Sequence, residues 1–360
     1  MGYCFLGQAA HYSRHERLAH TFAVGRKKDA KNLTEYLEKR YSGTAILTKN
    51  GRSALCLALK NLLPKGSEVI ANGFTCYAVY EAVKTAGMTP VFADINKEDL
   101  NFTIESIKKV LTKNTKAIII QNTLGNPVNI VAIEKFAKDN GLMIIEDLAH
   151  CAGLKYADGR EAGTVGAATV LSFGKDKSID TISGGALIVR TPVETPIAAP
   201  SKAPKFADTF RTRFYPLIAG ISRGLQHIKL GGPWLKLMLK LHFIERSADN
   251  KLDLTRRPNR FAAKLALKQL QSTSKMPLRK FALVNNRAEL LNKLKKQGFY
   301  FDGFWYERPI SPERYYKKVK FDESACPVAT EVAASIINIP THYSSEKLQP
   351  AIKLIKEYIR

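Results

Sequence analysis

Ser172-Phe173-Gly174-Lys175-Asp176-Lys177-Ser178-Ile179-Asp180-Thr181-Ile182-Ser183-Gly184-Gly185 continues an apolar run at 169–173 and closes on a glycine pair. About one supersecondary unit upstream, the apolar run 142–145 ends in Glu146-Asp147. From 45 to 190 such short apolar runs alternate with amphipathic stretches, the pattern of βαβ units around a mostly parallel sheet. Strands are expected near 45–48, 68–71, 89–92, 117–121, 143–145, 169–173 and 186–189, with helices near 79–86, 104–111 and 130–140. Asp147 then stands just past the carboxyl end of a strand, where α/β folds place ligands. His150 follows three residues on.

A lysine beside such an acid suggests Schiff-base chemistry. Burial or positive neighbours lower the pKa of a lysine amine enough to make it a nucleophile, and a carboxylate can keep a pyridine nitrogen protonated as an electron sink. Together the two residues point to pyridoxal phosphate. Alone, a lysine among glycines is usually a solvated loop residue, and an acid after a strand is usually an N-cap. A phosphate needs a cradle as well. The short run Ala45-Ile46-Leu47-Thr48 precedes Asn50-Gly51-Arg52-Ser53, and Ala54-Leu55-Cys56-Leu57-Ala58-Leu59 continues with helical composition. This puts Gly51, Arg52 and Ser53 at a helix N-terminus, where N–H groups and the helix dipole attract anions. Gly51 permits close backbone approach and Ser53 offers a hydroxyl; Arg52 pairs with phosphate or faces solvent.

The 360 residues suffice for about two domains. A composition of 45% hydrophobic and 24% charged residues belongs to an ordinary globular chain rather than a disordered one. Five cysteines, far apart and without CxxC spacing, indicate neither a disulfide framework nor a metal site, which fits a reducing, cytoplasmic setting. Met1-Gly2-Tyr3-Cys4-Phe5-Leu6 lacks a long apolar signal region, so no cleaved targeting peptide is expected. The formal net charge of +24, from 56 basic and 32 acidic residues, favours anionic partners. No helix-turn-helix, zinc-finger or RNP signature is present, so nucleic acid is not expected among them.

Between 192 and 258 the βαβ rhythm stops. A proline- and alanine-rich linker at 196–204 leads into the most apolar and basic part of the chain, 211–220 and 234–244. Neither piece is long enough to span a bilayer, but basic amphipathic helices there fit packing on the protein, on a second subunit, or peripheral membrane contact through 211–244. Helices are then expected at 261–271, 278–296 and 346–359, in a smaller α+β unit. The expected domains are 1–190 (large, cofactor-binding), 191–257 (insert and linker) and 258–360 (small).

Asn50-Gly51-Arg52-Ser53-Ala54-Leu55, Phe74-Thr75, Pro90 through Ile95, Gly125-Asn126-Pro127, Glu146 through His150, and Ser172 through Gly185 together resemble the DegT/DnrJ/EryC1/StrS sugar aminotransferase family, in family order. Pro258-Asn259-Arg260-Phe261 and Ser335 through His342 resemble its later segments. The resemblance implies a fold-type-I α/β enzyme that binds pyridoxal 5'-phosphate, is active as a homodimer, and moves an amino group from glutamate to a keto sugar nucleotide. It makes Lys177, four residues after Phe173, the cofactor lysine, since Lys175 does not match that spacing. Asp147 would pair with the ring nitrogen and His150 would lie near the ring oxygen. Ser172 and Ser53 would hold the phosphate, and Asn259 would reach the partner subunit's phosphate. Arg52, Cys76, Asn122 and Ser183 depart from the family's usual residues, which leaves open which residue stacks on the ring; Tyr77, next to Cys76, is one that could supply the surface. The alternatives are a regulatory or membrane-associated scaffold retaining the fold, and another pyridoxal phosphate reaction on an amino acid.

Overall fold

The computed structural model describes residues 4–5, 12–193, 195–272, 279–300 and 305–360. Of the amino-terminal run discussed above, only Cys4 and Phe5 fall among them. Seven strands form one sheet in the order Thr44–Thr48, Gly185–Val189, Ala168–Ser172, Met143–Asp147, Thr115–Ile120, Glu68–Asn72, Thr89–Ala93. All neighbours pair in parallel except at Gly185–Val189, which runs antiparallel to both its neighbours. The central strands are buried almost throughout, as expected where helices cover both faces of a parallel sheet.

Two hydrophobic clusters flank the sheet. On one face, the helix Gly51–Leu62 packs Ala54, Leu55, Ala58 and Leu59 with residues from Tyr77–Thr85. On the other, Lys27–Tyr41 inserts Leu33, Leu37 and Tyr41 at helical spacing. The helix Arg260–Ser272, beyond the boundary expected at 258, packs Ala263, Ala266 and Leu270 into this same cluster.

Glu146 and Asp147 diverge because successive strand residues face opposite sides. Glu146 is fully buried and accepts hydrogen bonds from Gly163 N (2.7 Å), Val165 N (2.8 Å), Gly166 N (2.7 Å) and Tyr156 Oη (2.9 Å). Glu146 therefore braces the turn entering Ala168–Ser172. Asp147 is left facing the strand ends.

One helix expectation is corrected. Leu278 lies outside the described residues, and Arg279–Leu283 is a strand paired antiparallel with Ile336–Pro340; the helix begins only at Arg287–Lys296. Cross-strand pairing overrides a composition that favours helix. This small unit joins the large one through Asp94, whose carboxylate accepts from Val328 N (3.0 Å) and Ala329 N (2.9 Å), capping Pro327–Ser335.

Candidate active site

The carboxyl ends of Met143–Asp147 and Ala168–Ser172 meet the start of Gly51–Leu62. Asn50 caps this helix, its side chain accepting from Ser53 N at 2.8 Å. A Cβ on Gly51 would lie 2.6 Å from Ser172 Cβ and 3.0 Å from its Oγ. Only glycine lets the positive end of the helix dipole rest against that hydroxyl. Arg52 and Ser53, also expected at the phosphate, are engaged by the protein itself, although Arg52 borders the same space. Ser53 Oγ accepts from Asp253 N (3.0 Å), and the Arg52 guanidinium is paired with Glu81.

The loop after Ser172 carries two half-buried lysines, and their partners separate them. Lys175 reaches the Glu245 carbonyl and lies 4.4 Å from the Tyr215 ring centroid; burial lowers its pKa to about 8. Lys177 instead puts Nζ 3.4 Å from His150 Nε2. Burial also lowers the Lys177 pKa, opposed by the nearby Cys76, Asp147 and Asp176. His150 is held well below its ordinary pKa by burial and by the positive Lys177 and Arg279, so its imidazole is neutral. Its Nδ1 accepts from Leu124 N at 3.2 Å, which leaves the ring proton on Nε2, toward Lys177. A donor at Nε2 faces a lysine nitrogen favourably only when that nitrogen has a lone pair. The contact therefore favours a neutral amine at Lys177, in the direction in which burial drives it.

Asp147 is buried, and burial raises its pKa while Lys177 and the Ala149 N–H (3.0 Å) lower it. Asp147, His150, Lys177 and Gln121 line a recess of about 60 Å³. It adjoins a cavity of about 610 Å³ reached by Gly51, Ser172, Lys177 and Asn259. Asn259 thus lies at the site of its own chain, accepting from Thr209 Oγ1 at 2.7 Å. Gln121 Oε1 is buried with no hydrogen-bond partner among the described residues.

The family model for DegT/DnrJ/EryC1/StrS aminotransferases matches residues 20–204, just over half of the chain. The chain belongs to the DegT/DnrJ/EryC1/StrS aminotransferase family. It is 35% identical over 155 residues to the GDP-perosamine synthase of Escherichia coli O157:H7, covering 43% of this chain and 42% of that protein. The matched stretch thus spans less than half of that curated relative. A longer match, 25% identical over 316 residues, covers 86% of the chain and 84% of the pleiotropic regulatory protein of Geobacillus stearothermophilus. The aminotransferase from Psychrobacter cryohalolentis shares the fold, with a TM-score of 0.69 at 17% identity over 98% of both chains.

Gly51, Asp147, His150, Ser172 and Lys177 all fall within the part matching the family, whereas Asn259 does not. Nor do three further residues that line or adjoin the site. The Trp305 ring lies 4.5 Å from Lys177 Nζ and 4.7 Å from the Arg279 guanidinium, with His150 4.7 Å away between centroids. Tyr306 lines the recess and meets Phe74 edge-on at 5.2 Å. Trp305 and Tyr306 carried no signal beyond being aromatic, and Arg279 none beyond its charge. Tyr77, one candidate for the ring-stacking surface, is turned away from the recess. Its ring stacks on Tyr315 at 4.5 Å and 10°, and lines neither recess nor cavity, because the helix it opens, Tyr77–Thr85, turns it outward.

Proposed function

We propose that this chain is a pyridoxal phosphate-dependent aminotransferase that transfers an amino group from glutamate to a keto sugar carried on a nucleotide diphosphate, and that it works as a homodimer. The observation that carries the reading is the half-buried Lys177, whose amine lies 3.4 Å from His150 Nε2, in one recess with Asp147. The cofactor fits this donor set. The Gly51–Ser172 contact provides a cradle that a Cβ would fill, and Gln121 Oε1 is a buried acceptor in the same recess without a protein partner among the described residues. When bound, pyridoxal phosphate supplies an aldehyde that takes up amines and a ring that accepts the electron pair released at the amine's carbon.

The chain's own residues divide the remaining work. With the cofactor bound, the Asp147 carboxylate would keep a proton on the ring nitrogen, and the Nε2–H of neutral His150 would be free to donate to the ring oxygen. The helix N-terminus at Gly51, with Ser172 Oγ, binds the phosphate. Lys177 Nζ, favoured as a neutral amine, would hold the cofactor's aldehyde and would be the base placed to take the proton from the donor's α-carbon. Tyr306 lines the recess and Trp305 lies over Lys177 Nζ, so both limit the water that reaches the amine. The basic side chains of the larger cavity, Arg246, Arg256, Arg257 and Arg314 among them, attract a diphosphate. The name of the Escherichia coli relative, a GDP-linked amino sugar synthase, supports that substrate class.

The test is reconstitution of purified protein with pyridoxal phosphate, followed by glutamate and a panel of nucleotide keto sugars read by mass spectrometry. A visible absorbance band that disappears in Lys177→Ala and shifts to the amine form with glutamate is expected. A protein that binds no cofactor, or binds it without responding to glutamate, overturns the reading. Light scattering that finds a monomer at working concentration overturns the dimer.

A further inference from the structure

Residues 209–244 contain no aspartate or glutamate, yet they hold six lysines and arginines. They make up most of a helical hairpin, Phe206–Leu225 and Gly231–Lys240, whose one acid, Asp208 in the first turn, is ion-paired with Lys49 at 3.2 Å and lies 3.5 Å from Arg211. Its inner side is settled. Ile218, Met238 and Ile244 form a small core with Trp234, whose Nε1 donates to Ile218 O at 3.1 Å. Arg211 and Arg213 are engaged by the fold: Arg211 donates to His242 O (3.0 Å), and Arg213 to Thr21 O (2.7 Å) and Ala23 O (3.0 Å). His20 Nε2 meets Thr212 O at 2.8 Å, so the hairpin is also fastened to the amino-terminal helix Arg14–Thr21.

The outer side differs. Leu230, Leu237 and Leu241 are 51%, 47% and 49% exposed, and Ile228 at the hairpin tip is 62% exposed. The three leucines are spaced seven and four residues apart, which places them in one row along the second helix. Lys229, Lys236 and Lys240 repeat the same spacing one position earlier and are all exposed. An apolar row thus runs beside a row of ammonium groups with no carboxylate in the segment. Most soluble surfaces intersperse the two signs.

We propose that this hairpin docks the protein on the surface of an anionic lipid bilayer, with Ile228, Leu230, Leu237 and Leu241 entering the interface and Lys229, Lys236 and Lys240 meeting the lipid phosphates. The inference goes beyond the aminotransferase reading and does not depend on it. Charge selects lipid over a second copy of the chain. In a two-fold contact the same patch faces itself, and this patch would set its lysines against each other with no acid to offset them. Among the described residues no helix is long and apolar enough to cross a membrane, so the hairpin lies on the bilayer rather than through it.

The test floats the full chain with two kinds of vesicle, pure phosphatidylcholine and a phosphatidylcholine–phosphatidylglycerol mixture. Flotation with the mixture, weakened by salt and absent with phosphatidylcholine alone, is expected. Lys229→Gln combined with Lys236→Gln should lower the affinity roughly tenfold or more, since each lysine near an anionic surface contributes separately. Leu230→Ser combined with Leu237→Ser, both at exposed positions, should abolish flotation while circular dichroism and melting temperature stay as in the parent chain. Equal flotation with both vesicles, flotation unaffected by either variant, or no flotation at all overturns the proposal. So does a leucine variant whose only effect is to convert a dimer to a monomer in lipid-free buffer, which would make the face a subunit contact.

Discussion

Lys177 Nζ and His150 Nε2 stand 3.4 Å apart where the small recess opens into the larger cavity, and the Leu124 N–H on His150 Nδ1 fixes which of them has a proton to give. The pair is therefore poised with an uncharged amine. Nearby carboxylates modulate it, since Asp147 raises the Lys177 pKa against the stronger lowering by burial. In cofactor-free protein, competitive labelling of amines across a pH series should give Lys177 a midpoint below that of an ordinary lysine. Asp147→Asn should move the midpoint lower still, because it removes a negative charge that favours the ammonium form. An unchanged or higher midpoint in that variant would show that the two groups are not electrostatically coupled.

Asp180 predicts a pH effect of opposite origin. Its carboxylate accepts from Asp176 N (2.8 Å) and Ile182 N (3.0 Å), bracketing the loop that carries Lys177 at two residues with positive φ. Burial, and then the neighbouring Asp176, raise its pKa from 3.8 to about 7, with Tyr12 beside it. A raised folded-state pKa means that the native state holds a proton the unfolded chain has lost. This contribution to stability is complete below about pH 4 and fades as the pH rises toward 7. Asp180→Asn should remove that slope, so the melting temperature of the parent relative to the variant should fall between pH 4 and 7. The full effect is on the order of 2–4 kcal/mol. A difference independent of pH would remove Asp180 as the titrating group.

Much of this was readable in the sequence. The apolar runs ending at Asp147 and Ser172 marked strands because a doubly covered parallel strand needs little polarity, and the glycine at 51 marked a close approach. The reversed direction of Gly185–Val189 was not readable, since an apolar run carries no orientation. The helices Arg14–Thr21 and Lys27–Tyr41 were missed, although Leu33, Leu37 and Tyr41 follow a four-residue spacing amid charge. Arg279–Leu283 misled because its strand state comes from Ile336–Pro340, more than fifty residues away. Trp305, Tyr306 and Arg279 reach the site through such long-range packing, and no local pattern announces it.

Glu146 offers a test of stability separate from chemistry. A glutamine there would keep one acceptor oxygen and turn an amide group toward N–H donors now shared between the two carboxylate oxygens. Glu146→Gln should cost roughly 3 kcal/mol in urea unfolding, by leaving buried donors unpaired. The labelling midpoint of Lys177 should change little, because Glu146 faces the opposite side of its strand. Loss of that reactivity without loss of stability would contradict the division of labour between the two adjacent acids.

Gly51 tests the cradle itself. An alanine there would bring Cβ to 2.6 Å from Ser172 Cβ, a separation that real contacts do not reach, so the helix start or the strand end must move. Both elements are buried and hydrogen-bonded, and movement in either opens the space between the helix dipole and Ser172 Oγ. Gly51→Ala should therefore weaken pyridoxal phosphate binding by about a hundredfold in equilibrium dialysis, of the order expected for one lost charge-assisted contact of 2–3 kcal/mol. Free pyridoxal, which has no phosphate, should be affected far less. Adding Ser172→Gly removes the Cβ and Oγ nearest the new methyl, leaving the residue's Cα at 3.1 Å, and should restore most of the helix position without restoring the hydroxyl. The double variant should thus regain most of the parent's melting temperature but less of its phosphate-dependent affinity. If Gly51→Ala weakened pyridoxal and pyridoxal phosphate equally, the helix start would be acting on the site as a whole and not on a phosphate.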